Sequence, residues 1–268
     1  MTLVLTTAGI FCLIVIMTTS LVFLVAMAIR DNSIMDIAYG PTFLIATTAT
    51  IWLTNSFGTL PLIATVLVAI WSARLGLRIL KKNIGTPEDA RYAAWRHAWQ
   101  ERGQVYFIVR SYLQIYILQG LIITAVASPV IIMIAYPFSL PLWFVIAGTL
   151  LWCLGIMIEA VADWQLDRFI ARKKAGTEEA KLMTTGLFRY SRRPNYFGES
   201  LLWWGLALIA LPLSYGYLAL IGPIVITYIV TRVTGPMLEA MFLEKYPDAY
   251  RAYMRRTSYF VPWPPRTE

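Results

Sequence analysis

Arg189, Arg192 and Arg193 stand within five positions of one another, interleaved with Phe188, Tyr190 and Tyr196, and lead into Pro194-Asn-Tyr-Phe-Gly-Glu199. Guanidinium groups suit bidentate binding of phosphate and stack on aromatic planes. Pro194 fixes the backbone where a helix begins. Asn195 and the N–H groups of the next turn can hold an amide or an anion at that helix N-terminus. A basic juxtamembrane segment can also simply grip anionic lipid heads, a task that does not call for the ordered run from Pro194 to Glu199.

A second set of residues is ionisable and lies at or near apolar stretches: Asp36, Glu159, Asp163, Glu199, Arg232 and Glu239. Such groups are costly in lipid and usually face a bundle interior or a water-filled cavity. All of these also fall near helix ends, where a side chain can reach water. Glu159 and Asp163 are four apart and share one helix face. Stacked there, they either pair with Arg168 or Arg172 or meet a cation or a hydroxyl-rich ligand. The single histidine, His97, lies in a polar insert and reads as a solvated helix-face residue. This argues against a histidine base, a Ser/His/Asp triad and a multi-histidine metal site, so no metal is expected. Cys12 and Cys153 sit in apolar runs, which excludes a disulfide framework. No Gly-rich phosphate loop occurs.

The elements that position these residues follow from composition. The 268-residue chain is 58% hydrophobic and 14% charged, against about 45–50% and about 25% in soluble domains. Residues 1–29, 37–73, 111–158 and 200–231 contain no Asp, Glu, Lys or Arg and make up more than half the chain. A bilayer span takes roughly 20 apolar residues, so the chain is an all-α polytopic membrane protein. Spans are expected at 3–29, 34–54, 59–80, 105–127, 139–162, 199–213 and 215–234. The break inside 111–158 is placed at Pro129, Pro137 and Pro141. With seven spans, every Lys and Arg falls on one side: Arg30, eight from Arg74 to Arg110, eight from Arg168 to Arg193 and six from Arg232 to Arg266 make up all 23. The positive-inside rule then puts the N-terminus outside and the C-terminus in the cytoplasm. The net charge of +8 is explained by those loops without nucleic acid. The first apolar stretch is expected to be retained as a helix, and the lack of any targeting segment favours a bacterial inner membrane as host.

At Gly186-Leu-Phe-Arg-Tyr-Ser-Arg-Arg-Pro-Asn-Tyr-Phe-Gly-Glu199 with Trp203, the chain resembles the membrane-embedded steroid 5α-reductase superfamily, most closely its uncharacterised bacterial branch. Looser matches are Asp36-Ile-Ala-Tyr-Gly40, Leu118-Gln119-Gly120, Asp163-Trp-Gln-Leu166, Glu244-Lys-Tyr-Pro247 and Arg256-Thr-Ser-Tyr-Phe-Val-Pro262. The resemblance implies one membrane-embedded domain over 1–268, with the motif core at about 139–268. It also implies NADPH bound from the cytoplasmic side beside a lipophilic substrate. Asn195, Tyr196, Glu199 and Trp203 would contact the cofactor, Asp163 a ribose and Arg232 the phosphates. Arg172, Lys181 and Arg192 join this group because several phosphate charges need cations; Glu239 and Arg256 complete the candidate cofactor set. The implied reaction is hydride transfer to the β-carbon of an enone while an acid polarises the carbonyl.

The family holds its carbonyl with a Glu on the second helix and a Tyr on the third. Here the nearest equivalents are Asp36 and Trp71, and an indole N–H can only donate a hydrogen bond. Tyr39, one turn after Asp36, offers a hydroxyl instead, so Asp36 and Tyr39 are the candidate catalytic residues, with Trp71 and Trp52 as candidate substrate contacts. The expected partners are a lipophilic small molecule and membrane lipid, with no nucleic acid and no obligate protein partner. Two other readings remain open: an S-adenosylmethionine methyltransferase of the isoprenylcysteine type, which shares the Arg-Pro-x-Tyr element but has His where this chain has Arg193, and a non-enzymatic lipid-binding protein.

Overall fold

The structure is a computed structural model that describes residues 1–137 and 142–266. Pro141 and the expected start of the fifth span at residue 139 lie outside the described residues. The elements are α1 (Thr2–Ile29), α2 (Ile34–Thr54), α3 (Thr59–Asn83), α4 (Ala90–Gln100), α5 (Gln104–Val126), α6 (Ser128–Ala135), α7 (Leu142–Lys174), α8 (Pro194–Ala210), α9 (Gly216–Lys245) and α10 (Pro247–Arg256). A short 3₁₀ turn, Gly186–Arg189, precedes α8. Among the described residues the β pairing is a single bridge, Ser191 to Ser258.

Among the described residues, six helices are long and apolar enough to cross a membrane: α1, α2, α3, α5, α7 and α9. The α8 helix has 17 residues, about 25 Å at 1.5 Å per residue, against a hydrocarbon core about 30 Å thick. The expected boundaries of the first four spans are close to those observed. Two later ones differ because a helix does not stop where its sequence turns polar. The α7 helix runs on to Lys174 and α9 to Lys245, carrying charged turns past the apolar windows. The break expected at the prolines between the fourth and fifth spans begins where the helix ends, at Val126. The connection is itself helical: the chain turns at Ala127 and resumes as α6, with Pro129 in its first turn and every residue from Pro129 to Ala135 buried. Proline is compatible with a first turn because that N–H has no helical partner to lose.

The chain forms two compact units. Met1–Leu140 with Ala210–Ile221 make one, and Pro141–Ile209 with Gly222–Glu268 the other. In the first unit α2 and α3 approach closely where Gly40 meets Ser72: a Cβ at Gly40 would lie 3.1 Å from the Ser72 carbonyl oxygen. The α5 helix packs on α1 through Tyr112 and Tyr116, whose rings lie 5.0 and 5.1 Å from Phe23, and through a 2.9 Å hydrogen bond between Ser20 Oγ and the Tyr112 hydroxyl. Residues 112–117 of α5 form a π-helical turn. Hydroxyls of Thr7, Thr42 and Thr47 donate to carbonyls four residues earlier, so these buried groups are satisfied within their own helices.

In the second unit α7 and α8 touch backbone to backbone. A Cβ at Gly155 would sit 2.5 Å from Leu202 N, one at Gly198 2.6 Å from Glu159 N, and one at Gly205 2.6 Å from Trp152 N. Small residues permit such approach in apolar surroundings, where packing and hydrogen bonds rather than water expulsion hold helices together. The glycines repeat at seven-residue spacing on both helices, Gly148 and Gly155 against Gly198 and Gly205, so the contact is continuous over two turns.

Candidate functional site

The second unit carries the arginine-aromatic motif. Gly186 has φ +61°, and a Cβ there would run into the Gln165 amide. That amide's Oε1 accepts from Leu187 N at 2.9 Å, which starts the 3₁₀ turn. The C-terminal segment then zips onto the motif. Arg192 N donates to Ser258 O (2.8 Å), Ser191 Oγ to Phe260 O (2.7 Å) and Trp263 N to Tyr190 O (2.9 Å), while the Tyr253 hydroxyl donates to Phe188 O. Burial holds the Tyr253 phenol well above its ordinary range, with the nearby Tyr250 adding to the shift, so it remains a donor. The late match Arg256–Pro262 is thus the brace of the earlier motif.

Beside that brace, Asp163 and Glu159 are 4% and 3% exposed on the face of α7 that meets α8. Asp163 Oδ1 accepts from Asn195 Nδ2 at 3.3 Å. Of the two bases expected to compensate these acids, Arg168 lies over the Trp164 ring and Arg172 bonds Glu178 at 3.0 Å. Trp203, two turns after Asn195, is fully buried, and Glu199 is half-buried.

The cationic candidates divide by what holds them. Arg192 is buried: its Nε donates to Glu239 at 2.7 Å, its Nη1 to Thr257 O at 2.7 Å, and its guanidinium lies 5.3 Å from the centre of the Tyr259 ring. Its charge and that of Glu239 are satisfied by each other, and Tyr250 also donates to Glu239 at 3.3 Å. The Arg193 guanidinium lies near the rings of Tyr196 and Phe242. Arg256 and Arg266 line a cleft of about 310 Å³ with Trp263 and Tyr259. Lys181 is exposed, and its carbonyl accepts from Lys173 Nζ. Arg232 is exposed within a second π-helical turn, Ile229–Thr234, where the Tyr259 hydroxyl donates to Thr231 O at 2.7 Å. The cleft lined by Arg256 and Arg266 has room for an anionic group.

The first unit holds Asp36, in the first turn of α2. Its Oδ1 accepts from the Tyr92 hydroxyl at 2.7 Å and its Oδ2 from Arg91 Nη2 at 3.1 Å. Gln119 Nε2 reaches the same phenol oxygen at 3.4 Å. Both Tyr92 and Arg91 belong to α4, in the insert between α3 and α5. Burial, then the Asp36 charge and the hydrogen bond to it, push the Tyr92 phenol far above its ordinary range. Tyr92 therefore keeps its proton and donates it to the carboxylate.

The insert is seated by its own acids. Glu88 accepts from Asn32 N at 2.8 Å and from Arg96 Nε and Nη2 at 2.8 Å each, and Ser33 Oγ accepts from Asp89 N at 2.8 Å. Asp89 also caps α4 through Arg91 N. Burial favours its protonated form, but hydrogen bonds from Arg91 outweigh this and hold the carboxyl below its ordinary range. The Tyr116 hydroxyl donates to Asn32 Oδ1 at 2.9 Å, tying α5 to the same corner.

Tyr39 and Trp71 do meet: their rings are 6.3 Å apart, each edge-on to Phe43 at 5.3 and 5.2 Å. Trp52 is not with them. It is 74% exposed near the far end of α2, against Phe57, and 16 residues of helix separate it from Asp36, about 24 Å. Sequence reasoning missed Tyr92, Arg91 and Gln119 as partners of Asp36. Only Gln119 left a trace, in the Leu118-Gln119-Gly120 match.

A family model described as a protein of unknown function, DUF1295, matches residues 22–257. An uncharacterized protein of the fission yeast Schizosaccharomyces pombe is 28% identical over 225 residues, covering 75% of this chain and 63% of that protein. The chain therefore spans less than two thirds of that relative's length. No solved structure matches.

Proposed function

The chain belongs to the DUF1295 family, which is associated with steroid 5α-reductase-like proteins, and from that membership we propose that it is an NADPH-dependent membrane reductase. Its substrate would be a lipophilic molecule, steroid-like or isoprenoid, with a carbon–carbon double bond conjugated to a carbonyl. The observation that carries this reading is the hydrogen bond from Asn195 to the buried Asp163 at the glycine contact of α7 and α8, followed at one-turn intervals by Glu199 and Trp203.

NADPH, when bound, supplies the hydride. The chain's own residues divide the remaining work. Asn195, Tyr196, Glu199 and Trp203 on α8 would orient the nicotinamide end, and Asp163 would take ribose hydroxyls. Arg256, with Arg172, Lys181 and Arg232, would meet the phosphates. Arg192 and Glu239 would act by holding the C-terminal brace, since each neutralises the other. Tyr92 supplies on Asp36 the hydroxyl that the resemblance assigns to the third span. For the transfer, Asp36 would take up a proton at Oδ2 in place of its bond from Arg91 and pass it to the developing enolate, while Tyr92 keeps its hydrogen bond to Oδ1. Donors already in place at the growing charge need no reorganisation as it forms.

The same reading takes α8 as a seventh, short span, with the N-terminus outside and the C-terminus in the cytoplasm, in a bacterial inner membrane. It is supported by the gathering of all basic loops on one side. The test is titration of the purified full-length chain in detergent with NADPH, followed by nicotinamide fluorescence, and with S-adenosylmethionine in parallel. Saturable NADPH binding, weakened about tenfold by Asn195→Ala through loss of one well-placed hydrogen bond, is the expected result. Failure to bind NADPH, or preferential binding of S-adenosylmethionine, overturns it.

A further inference from the structure

Away from the Asp36 corner, the first unit contains a cleft of about 540 Å³ formed by the end of α1, the last turns of α4 and the start of α5. Small-molecule sites commonly measure about 300–1,000 Å³. One wall is apolar, made by Phe23 and Met27 of α1 with Phe107 and Ile108 of α5. The rim is polar, made by Arg30, Gln100 and Gln104. The order along α1 matters. Phe23, Met27 and Arg30 fall within eight residues, about 10 Å of helix, so the lining passes from apolar to cationic along the axis of a candidate span. That gradient matches an amphiphile standing in a leaflet, with its chain toward the helix middle and its head at the helix end.

The charge of the cleft is set by Arg30. Arg96 also lines it, but its guanidinium is held bidentately by Glu88 at 2.8 Å and lies 5.1 Å from the Phe107 ring centre. Asp31, next to Arg30, turns back to accept from Ser33 N at 2.8 Å. Arg30 itself is exposed and closes α1 in the left-handed region at φ 58°. On the same two helices, α4 and α5, Trp95 and Trp99 stack at 5.7 Å and Arg110 lies near the Trp99 ring, the aromatic and basic pair typical of a head-group region.

We propose that this cleft binds one anionic glycerophospholipid, its phosphate at Arg30 with Gln100 and Gln104 and an acyl chain against Phe23, Met27, Phe107 and Ile108. The site is independent of the reductase reading. It would anchor α4, and with it Tyr92 and Arg91, to the membrane surface.

The test is native mass spectrometry of the full-length chain in detergent with dioleoyl phosphatidylglycerol, dioleoyl phosphatidylcholine or inorganic phosphate. The expected result is one retained phosphatidylglycerol, preferred about fivefold over phosphatidylcholine, as one cation at an anionic interface gives. Arg30→Asn, a residue that tolerates the left-handed conformation, should abolish the preference while leaving phosphatidylcholine binding unchanged. Ile108→Trp should fill the cleft and remove both lipids. Equal binding of the two lipids by the native chain, a preference that survives Arg30→Asn, or retention by Ile108→Trp overturns the proposal. So does inorganic phosphate that binds alone and competes with the lipid, since the site would then take a free anion.

Discussion

The corner around Asp36 and the motif around Asn195 solve one problem, finding partners for a carboxylate on a long apolar helix, in opposite ways. At Asp163 the acid lies on a glycine-packed helix pair and meets an amide that follows the motif's proline by one residue. At Asp36 the acid is met by Tyr92 and Arg91, more than fifty residues away along the chain, delivered by an insert that Glu88 and Asp89 fasten to Asn32 and Ser33. The first arrangement is rigid because two backbones touch. The second depends on side-chain hydrogen bonds, so it can be released without dismantling the helices beneath it. A catalytic acid that must exchange a proton is better served by the second, and a cofactor cradle by the first.

The contrast is broken most severely at Arg192. Arg192→Met leaves Glu239 without its buried partner and should cost about 3–5 kcal/mol of stability, read by thermal unfolding in detergent. The double variant R192M/E239L should recover most of that loss. Equal stability of Arg192→Met and the native chain would mean the brace is not held by this pair.

A smaller effect is expected on the other side. Tyr92→Phe removes one hydrogen bond to a carboxylate, a loss of about 1.5–3 kcal/mol, with Arg91 still in place. Under the reductase reading it also slows turnover by about 10² or more while NADPH binding at the motif is unchanged. A variant with weakened NADPH binding and normal turnover would reverse the assignment of the two regions.

The mildest effect sharpens the comparison through pH. A phenol whose folded pKa is raised binds its proton in the native state over a range where the unfolded chain has lost it. Its contribution to stability is therefore complete below the unfolded value of about 10 and falls as pH rises above that. Tyr92 and Tyr253 are both raised, so the native chain should lose stability above pH about 10. Tyr92→Phe should flatten part of that slope and leave the part due to Tyr253. An unchanged slope would show that Tyr92 is not buried against Asp36.

Much of the architecture is legible in the chain alone. Apolar length forces helices wherever charge is absent, because a backbone in lipid must satisfy its own hydrogen bonds. The first four spans accordingly begin and end within a few residues of expectation. The motif was legible for a related reason: Pro194, Asn195 and Gly198 act on their own turn. The turn at Ala127 was legible too, but the helix α6 that follows it was not, because whether a proline only breaks a helix or also begins one depends on what packs against the segment after it. Nor was the separation of Trp52 from Trp71, since their side chains look alike in sequence and differ only in height along the bundle.

The partners of Asp36 mark the boundary between the two kinds of information. Hydropathy and local spacing determined that this chain is a bundle of apolar helices with basic loops and an ordered Arg-Pro-Asn turn. Which hydroxyl reaches Asp36, and which arginines are spent on Glu88 and Glu239, was decided only when remote segments folded together. A side chain's type sets what it can donate or accept, but long-range packing chooses the group it meets.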